Sequence, residues 1–131
     1  KKDAAKARIK ALIPLQNLLK EIFGDDDYNV FVFGSYPTIR FDEENSDIDV
    51  AVYTADLQLY KKLAIVIEDF FRERDIKLDL FYIDTTITAP FYLAPLRANI
   101  QFTDYYPTAL RTFESKCAAK LQQIKMRMGS L

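Results

Sequence analysis

The order of elements along the chain is helix, strand, strand, helix, strand, then mixed elements, and it predicts a small α/β or α+β fold of two layers built on one sheet. Three observations carry that prediction. Apolar residues return at helical spacing over 9–23, 57–71 and 106–128. Short apolar or alternating runs over 30–33, 47–53 and 76–83 have the period of strands. Gly24, Gly34 and five prolines punctuate the joints between them. No internal repeat or low-complexity segment interrupts the pattern, and at 131 residues the chain is expected to be one domain over 1–131. That length suffices to bury about two-thirds of the unfolded surface without staples.

The first helical pattern runs through Ile9, Leu12, Ile13, Leu15, Leu18, Leu19, Ile22 and Phe23, with Pro14 either kinking it or opening a second helix, and Gly24 ending it. Asp25-Asp26-Asp27 then reads as a solvated loop, because successive loop carboxylates diverge unless a fixed backbone converges them. Val30-Phe31-Val32-Phe33 reads as a buried strand and 47–53 as a second. An amphipathic helix from about Ala55 to Arg74 joins the second strand to a third, in which Ile76, Leu78, Leu80 and Tyr82 alternate with Lys77, Asp79, Phe81 and Ile83. Residues 85–96, with Pro90 and Pro95, suggest loop and a short helix, followed by a brief strand over 99–102. A last helix opens at Pro107 and ends at Gly129, its stripe being Tyr106, Leu110, Phe113, Cys117, Leu121, Ile124 and Met128.

Composition narrows the chemistry. The chain has no histidine, which excludes Ser-His-Asp and Cys-His nucleophilic sites and histidine-ligated zinc. Cys117 is the only cysteine, so no intramolecular disulfide forms, and its place on an apolar stripe reads as a core thiol. With 18 Lys+Arg against 19 Asp+Glu, a net charge of −1 gives no basic footprint for direct nucleic-acid binding. No apolar run approaches the roughly 20 residues that span a bilayer, so the expectation is a cytoplasmic protein without membrane contact.

The chemistry-bearing residues gather in one stretch. The strand over 30–33 runs into Gly34-Ser35, and eleven residues separate Ser35 from Asp47-Ile48-Asp49. Residues two apart on a strand share a face, which puts the Asp47 and Asp49 Cβ atoms roughly 6 to 7 Å apart. Two carboxylates so close repel unless a divalent cation compensates, so the pair suits a hard, oxygen-seeking metal. Asp79 adds a third acid in an apolar strand, where it wants either a salt bridge to Lys77 or a functional reason. Three carboxylates suffice to hold two metals for transfer of a nucleotidyl group, with Asp79 accepting or relaying the proton of the nucleophile. Gly34 would let backbone approach phosphate oxygens, and Ser35 would donate its hydroxyl and N–H to them at the start of a helix. Asp42-Glu43-Glu44 reads as a turn held off the site and Asp84 as a turn former.

These residues resemble the minimal nucleotidyltransferase family of the DNA polymerase β-like superfamily, whose signature is Gly-Ser, a spacer, Asp-x-Asp, and a later Asp on a strand. Gly34-Ser35-Tyr36 and Ser46-Asp47-Ile48-Asp49-Val50 match its two ends, and Lys77-Leu78-Asp79-Leu80-Phe81 its third element. The resemblance spans roughly residues 10 to 127, although only 34–51 and Asp79 are specific to it. It implies an α+β fold with a small mixed sheet flanked by helices, catalytic and metal roles for Asp47, Asp49 and Asp79, nucleotide binding by Gly34, Ser35 and Tyr36, ATP as substrate, and two Mg²⁺ ions, with Mn²⁺ also suited. The spacer is one residue longer than usual, and Pro37-Thr38-Ile39-Arg40 stands where the family often has Ala-Arg-Gly, so no role is carried onto Arg40. Short members of the family resemble this chain in serving as the antitoxin of HEPN/MNT toxin–antitoxin pairs, where AMP is attached to a tyrosine of the HEPN toxin in a hetero-oligomer. Two other readings stay open: transfer to a small-molecule acceptor, and a non-catalytic antitoxin acting by occlusion. Phe91, Tyr92, Tyr105 and Tyr106 either form a docking surface for the partner or cap the end of the sheet.

Overall fold

The computed structural model describes residues 2–129. Helices α1 (Lys2–Lys10) and α2 (Ile13–Phe23) lead into strands β1 (Asn29–Phe33) and β2 (Ile48–Tyr53). Helix α3 (Leu57–Arg72) crosses to β3 (Leu78–Tyr82). A 3₁₀ turn over Pro90–Tyr92, a short α4 (Leu93–Leu96), β4 (Ile100–Gln101) and the long α5 (Thr108–Gly129) complete the chain.

The sheet order is β3-β2-β1-β4. β1 pairs antiparallel with both β2 and β4, whereas β2 and β3 run parallel because α3 returns the chain to the starting edge. The sheet is mixed and flanked by helices, as the α+β expectation has it. Both of its faces are covered, which adds a second helical layer to the two expected.

The pattern of side chains explains why. β1 is apolar at every position after Asn29 and buried throughout, which suits a central strand covered on both sides. Val30, Val32, Ile48, Val50 and Val52 meet Leu15 and Leu19 of α2 and Leu63, Ile67 and Phe71 of α3. On the other face Phe31, Phe33, Ala51 and Tyr53 meet Leu93 and Leu96 of α4 and Leu110, Phe113 and Cys117 of α5. Each such large side chain contributes roughly 1.5–3 kcal/mol on burial.

The joints follow local chemistry. Pro14 opens a second helix rather than kinking one, since at the first turn its missing N–H costs nothing. Asp56 caps α3, its Oδ1 accepting from the amides of Gln58 at 2.9 Å and Leu59 at 3.3 Å. Asn29 is fully buried and completely used: Nδ2 donates to Gln101 Oε1 and the Tyr105 carbonyl, while Oδ1 accepts from the Thr103 amide at 3.1 Å. It fastens β1 to the segment after β4. The acidic stretch Asp25–Asp27 is exposed and Cys117 is buried, both as the sequence implies.

The last helix departs from its expected stripe. Leu110, Phe113 and Cys117 are buried, but Met128 is 68% exposed, so the apolar stripe is covered over the first half of the helix and reaches the surface at its end. Among the described residues, no helix is long and apolar enough to cross a membrane.

Candidate functional site

The expected acids meet at one end of the sheet. In the register of β1, β2 and β3, Phe33 lies opposite Asp49, and Asp49 opposite Asp79. Alternation from Asp49 places Asp47 on the same side, the side that also carries Phe33, Ala51 and Phe81. Asp47 and Asp49 are half-buried and Asp79 is exposed, so the cluster opens to solvent on the β3 side. Burial, then the charges of Asp79 and Asp47, push the Asp49 carboxyl up from its ordinary range. Asp49 therefore feels both of the other acids.

Lys77 does not neutralise this group. Among the described residues the ion pairs are Arg8–Glu43, Arg72–Asp69, Arg74–Glu73 and Arg97–Glu114, and none involves Asp79. No three acids, cysteines or histidines among them stand close enough, as placed, to hold a metal ion together. The donor set nevertheless fits a hard divalent cation: every available ligand is a carboxylate oxygen, and the raised Asp49 carboxyl marks an uncompensated concentration of negative charge.

Gly34 closes the constellation from β1. Its φ of +73° lies in the left-handed region, and a Cβ there would overlap the Asp49 carboxylate. Only glycine serves, because the turn must bring bare backbone against the acid. Ser35 follows in a turn instead of at the start of a helix, contrary to the sequence expectation. Its carbonyl is held by the Thr38 amide at 2.9 Å and the Thr38 hydroxyl at 2.7 Å, and Pro37 and the extra spacer residue stand where a helix would have begun.

Tyr36 is placed differently from what a nucleotide-binding side chain requires. It is 3% exposed, stacked edge-on against Phe41 at 5.0 Å within the α2–α3 core, and burial raises its hydroxyl pKa. Its side chain is structural, which leaves only its backbone at the turn.

Sequence reasoning missed Arg8. From α1 it donates Nε to the Tyr36 carbonyl at 2.8 Å, a terminal nitrogen to the Thr38 carbonyl at 2.5 Å and the other to Glu43 Oε1 at 3.0 Å. Its guanidinium also lies 5.0 Å from the Phe41 ring centroid. Thus one side chain fastens both halves of the spacer between Ser35 and Asp47. The only signal in the sequence is an arginine on an otherwise unremarkable helix, since its partners are main-chain carbonyls 28 and 30 residues away. Asp42 then organises the far half, accepting from the Glu44 amide and the Asn45 side chain, so Asp42-Glu43-Glu44 is a turn held off the site. Asp84 similarly accepts from the Thr86 amide and hydroxyl.

The four aromatic residues fall mainly into the capping role. Tyr105 stacks on Tyr53 at 6.1 Å, Tyr106 packs edge-on to Phe31, and Tyr92 contacts Phe113. Phe91 alone stays 48% exposed, resting on Phe81 at 5.1 Å and Phe33 at 6.2 Å beside the acids.

The chain matches the family model described as nucleotidyltransferase domain over residues 15–117. A solved structure described as the crystal structure of the toxin-antitoxin MntA-HepT is similar at 18% identity, covering 95% of this chain and 93% of that one, with a TM-score of 0.48. No curated protein matches the sequence.

Proposed function

The chain belongs to the nucleotidyltransferase domain family, and from that premise we propose that it transfers AMP from ATP to a hydroxyl, a tyrosine, of a partner HEPN toxin and thereby acts as an antitoxin in the cytoplasm. The observation that carries the transferase half is the pairing of Asp49 with Asp79 on neighbouring strands, with the Gly34 turn that follows β1 pressed against Asp49 and Asp47 beside it. The protein acceptor is supported by the sequence resemblance and by the exposure of Asp79 and Phe91 at the acid end.

In the proposed reaction the acceptor oxygen bonds to the α-phosphorus of ATP while the bond from that phosphorus to the bridging α–β oxygen breaks. The products are the AMP ester, pyrophosphate and the proton of the hydroxyl. Asp47, Asp49 and Asp79 would hold Mg²⁺, two ions in the full site, and Mn²⁺ suits the same oxygens. Bound there, the ions would supply charge neutralisation for the triphosphate and activation of the attacking hydroxyl. Asp79, which is exposed, would accept or relay the departing proton. The turn at Gly34 lets main-chain amides approach phosphate oxygens, and Ser35 adds its hydroxyl.

The test is transfer from α-labelled ATP with Mg²⁺ to the co-purified partner, beside Asp47→Ala with Asp49→Ala. Label on the partner that is lost in the double variant supports the proposal. A wild type that binds and neutralises its partner without labelling it sinks the catalytic reading and leaves occlusion.

A further inference from the structure

Two large clefts lie at the wrong end of the sheet for this chemistry. At about 660 and 620 Å³, they open near Tyr53 and Asn29, and both are lined by Asp26 and Asp27. A smaller cleft of about 310 Å³ adjoins Gly34 itself, between the turn over 34–38 and the connection from α4 to β4. Its lining holds Arg97, Asn99 and Thr38 around an apolar floor that includes Val32 and Ile100, and it contains no acid. That volume is at the lower end of the roughly 300–1,000 Å³ typical of ligand sites.

Arg97 is the one cation of this cleft, and it is half committed. Its Nε donates to Glu114 Oε2 at 3.1 Å, and the other oxygen of Glu114 accepts from the Tyr106 hydroxyl at 2.5 Å. The terminal guanidinium nitrogens have no acceptor among the described residues, so the fork that binds phosphate oxygens in pairs is available. Glu114 steadies the stem without consuming the fork.

The register gives the direction. Val32 pairs with Ile100, so Asn99 follows as the neighbour of Phe33, and Asp79, Asp49, Phe33 and Asn99 mark four successive strands. Three strand spacings amount to about 14 Å. In-line displacement requires the leaving group to depart on the side opposite the attacking oxygen. With the exposed Asp79 at one end of the row, the opposite side is the Gly34–Arg97 end.

We propose that the cleft between the Gly34 turn and Asn99 seats the β- and γ-phosphates of the nucleoside triphosphate, with Arg97 as the residue that grips the departing pyrophosphate. The proposal rests on the transferase reading and goes beyond it by assigning the phosphate tail to a residue that no part of the Gly-Ser or Asp-x-Asp pattern contains. Arg40, which follows the turn in sequence, is exposed and does not line this cleft.

The experiment is calorimetric titration of the whole chain, with Mg²⁺, by inorganic pyrophosphate, ATP and AMP, in the wild type, Arg97→Gln and Arg97→Ala. Loss of charge-assisted hydrogen bonds predicts a roughly 10- to 100-fold rise in Kd for pyrophosphate and ATP, with AMP within about twofold. In the wild type, pyrophosphate should also shield Arg97, and not Arg40, from phenylglyoxal as read by mass spectrometry, a measurement that needs no variant to fold. Unchanged pyrophosphate binding in the variants, an equal loss for AMP, or no shielding of Arg97 overturns the assignment. Arg97-dependent pyrophosphate binding in a wild type that labels no partner would remove the transferase reading and leave the phosphate seat. Conversely, partner labelling with an unchanged KM for ATP in both variants would remove the seat and leave the transferase.

Discussion

Gly34 and Asp49 touch so closely that a single methyl group would not fit between them. Since φ at Gly34 is +73°, alanine there suffers twice, by left-handed backbone costing roughly 1–2 kcal/mol and by displacement of the Asp49 carboxylate. Gly34→Ala should therefore lower stability by about 1–3 kcal/mol in a denaturant melt, within the usual range for strained sites. If the proposed transfer runs through Asp49, its rate should fall 100-fold or more, because a displacement of about 1 Å at the reacting centre is that costly. A variant with full activity would show that Asp49 and the turn are not coupled.

The acids predict a pH dependence of stability with a definite sign. Burial and the neighbouring charges of Asp79 and Asp47 raise the folded carboxyl of Asp49 above its unfolded value, so the folded state holds the proton more tightly. That contribution to stability is complete below the unfolded pKa and is lost as pH rises through the raised folded value. Asp49→Asn removes the charge and should melt higher than wild type at pH 7 without metal, with the difference shrinking toward pH 4. Mg²⁺ should raise the wild-type melting temperature and leave Asp49→Asn nearly unmoved, as binding to the folded state alone requires. Thermal melts over pH 4–8 with and without Mg²⁺ check both halves.

Much of this was legible because it is local. The strand before Gly34, the two-residue spacing of Asp47 and Asp49, and the alternation around Asp79 fix which face each side chain takes, and the register in the fold brings those faces together. What stayed hidden depends on partners far away in the chain. Tyr36 reads as part of a nucleotide motif, but its ring is claimed by Phe41 and the core. The turn at Ser35 reads as a helix start until Thr38 is seen holding its carbonyl. Met128 keeps the helical period of the last helix and is nevertheless exposed.

Asn29 shows the same dependence on distant partners, and its removal is measurable. Its side chain meets Gln101, Thr103 and Tyr105, all beyond reach of any sequence pattern. Asn29→Ala leaves the Thr103 amide and the Tyr105 carbonyl without partners in a buried place, at about 1–3 kcal/mol for each group so stranded. The expected loss is about 2–4 kcal/mol in a urea melt. Asn29→Asp should be at least as costly, because it cannot donate to the Tyr105 carbonyl and brings a charge into a fully buried site. A loss below 0.5 kcal/mol for both would mean that water replaces the side chain.

Arg8 makes the strongest prediction about a residue outside the motif. It binds the carbonyls of Tyr36 and Thr38 and stacks on Phe41, so it sets the path of the spacer that delivers Asp47 and Asp49 to the Gly34 turn. Arg8→Ala should cost about 2–4 kcal/mol, combining charge-assisted hydrogen bonds with a desolvated cation–π contact. Arg8→Lys should recover little of that, because a single ammonium cannot donate to two carbonyls and stack flat on a ring at once. The discriminating readout is amide hydrogen exchange. In both variants protection should fall over 36–46 while the core strand amides of Val30 to Val32 keep theirs. If exchange instead rises uniformly, Arg8 supports the fold as a whole and does not specifically shape the loop. The accompanying transfer rate should fall mainly through a higher KM for ATP, since a loosened turn weakens phosphate binding while Asp49 and Asp79 keep their register on β2 and β3.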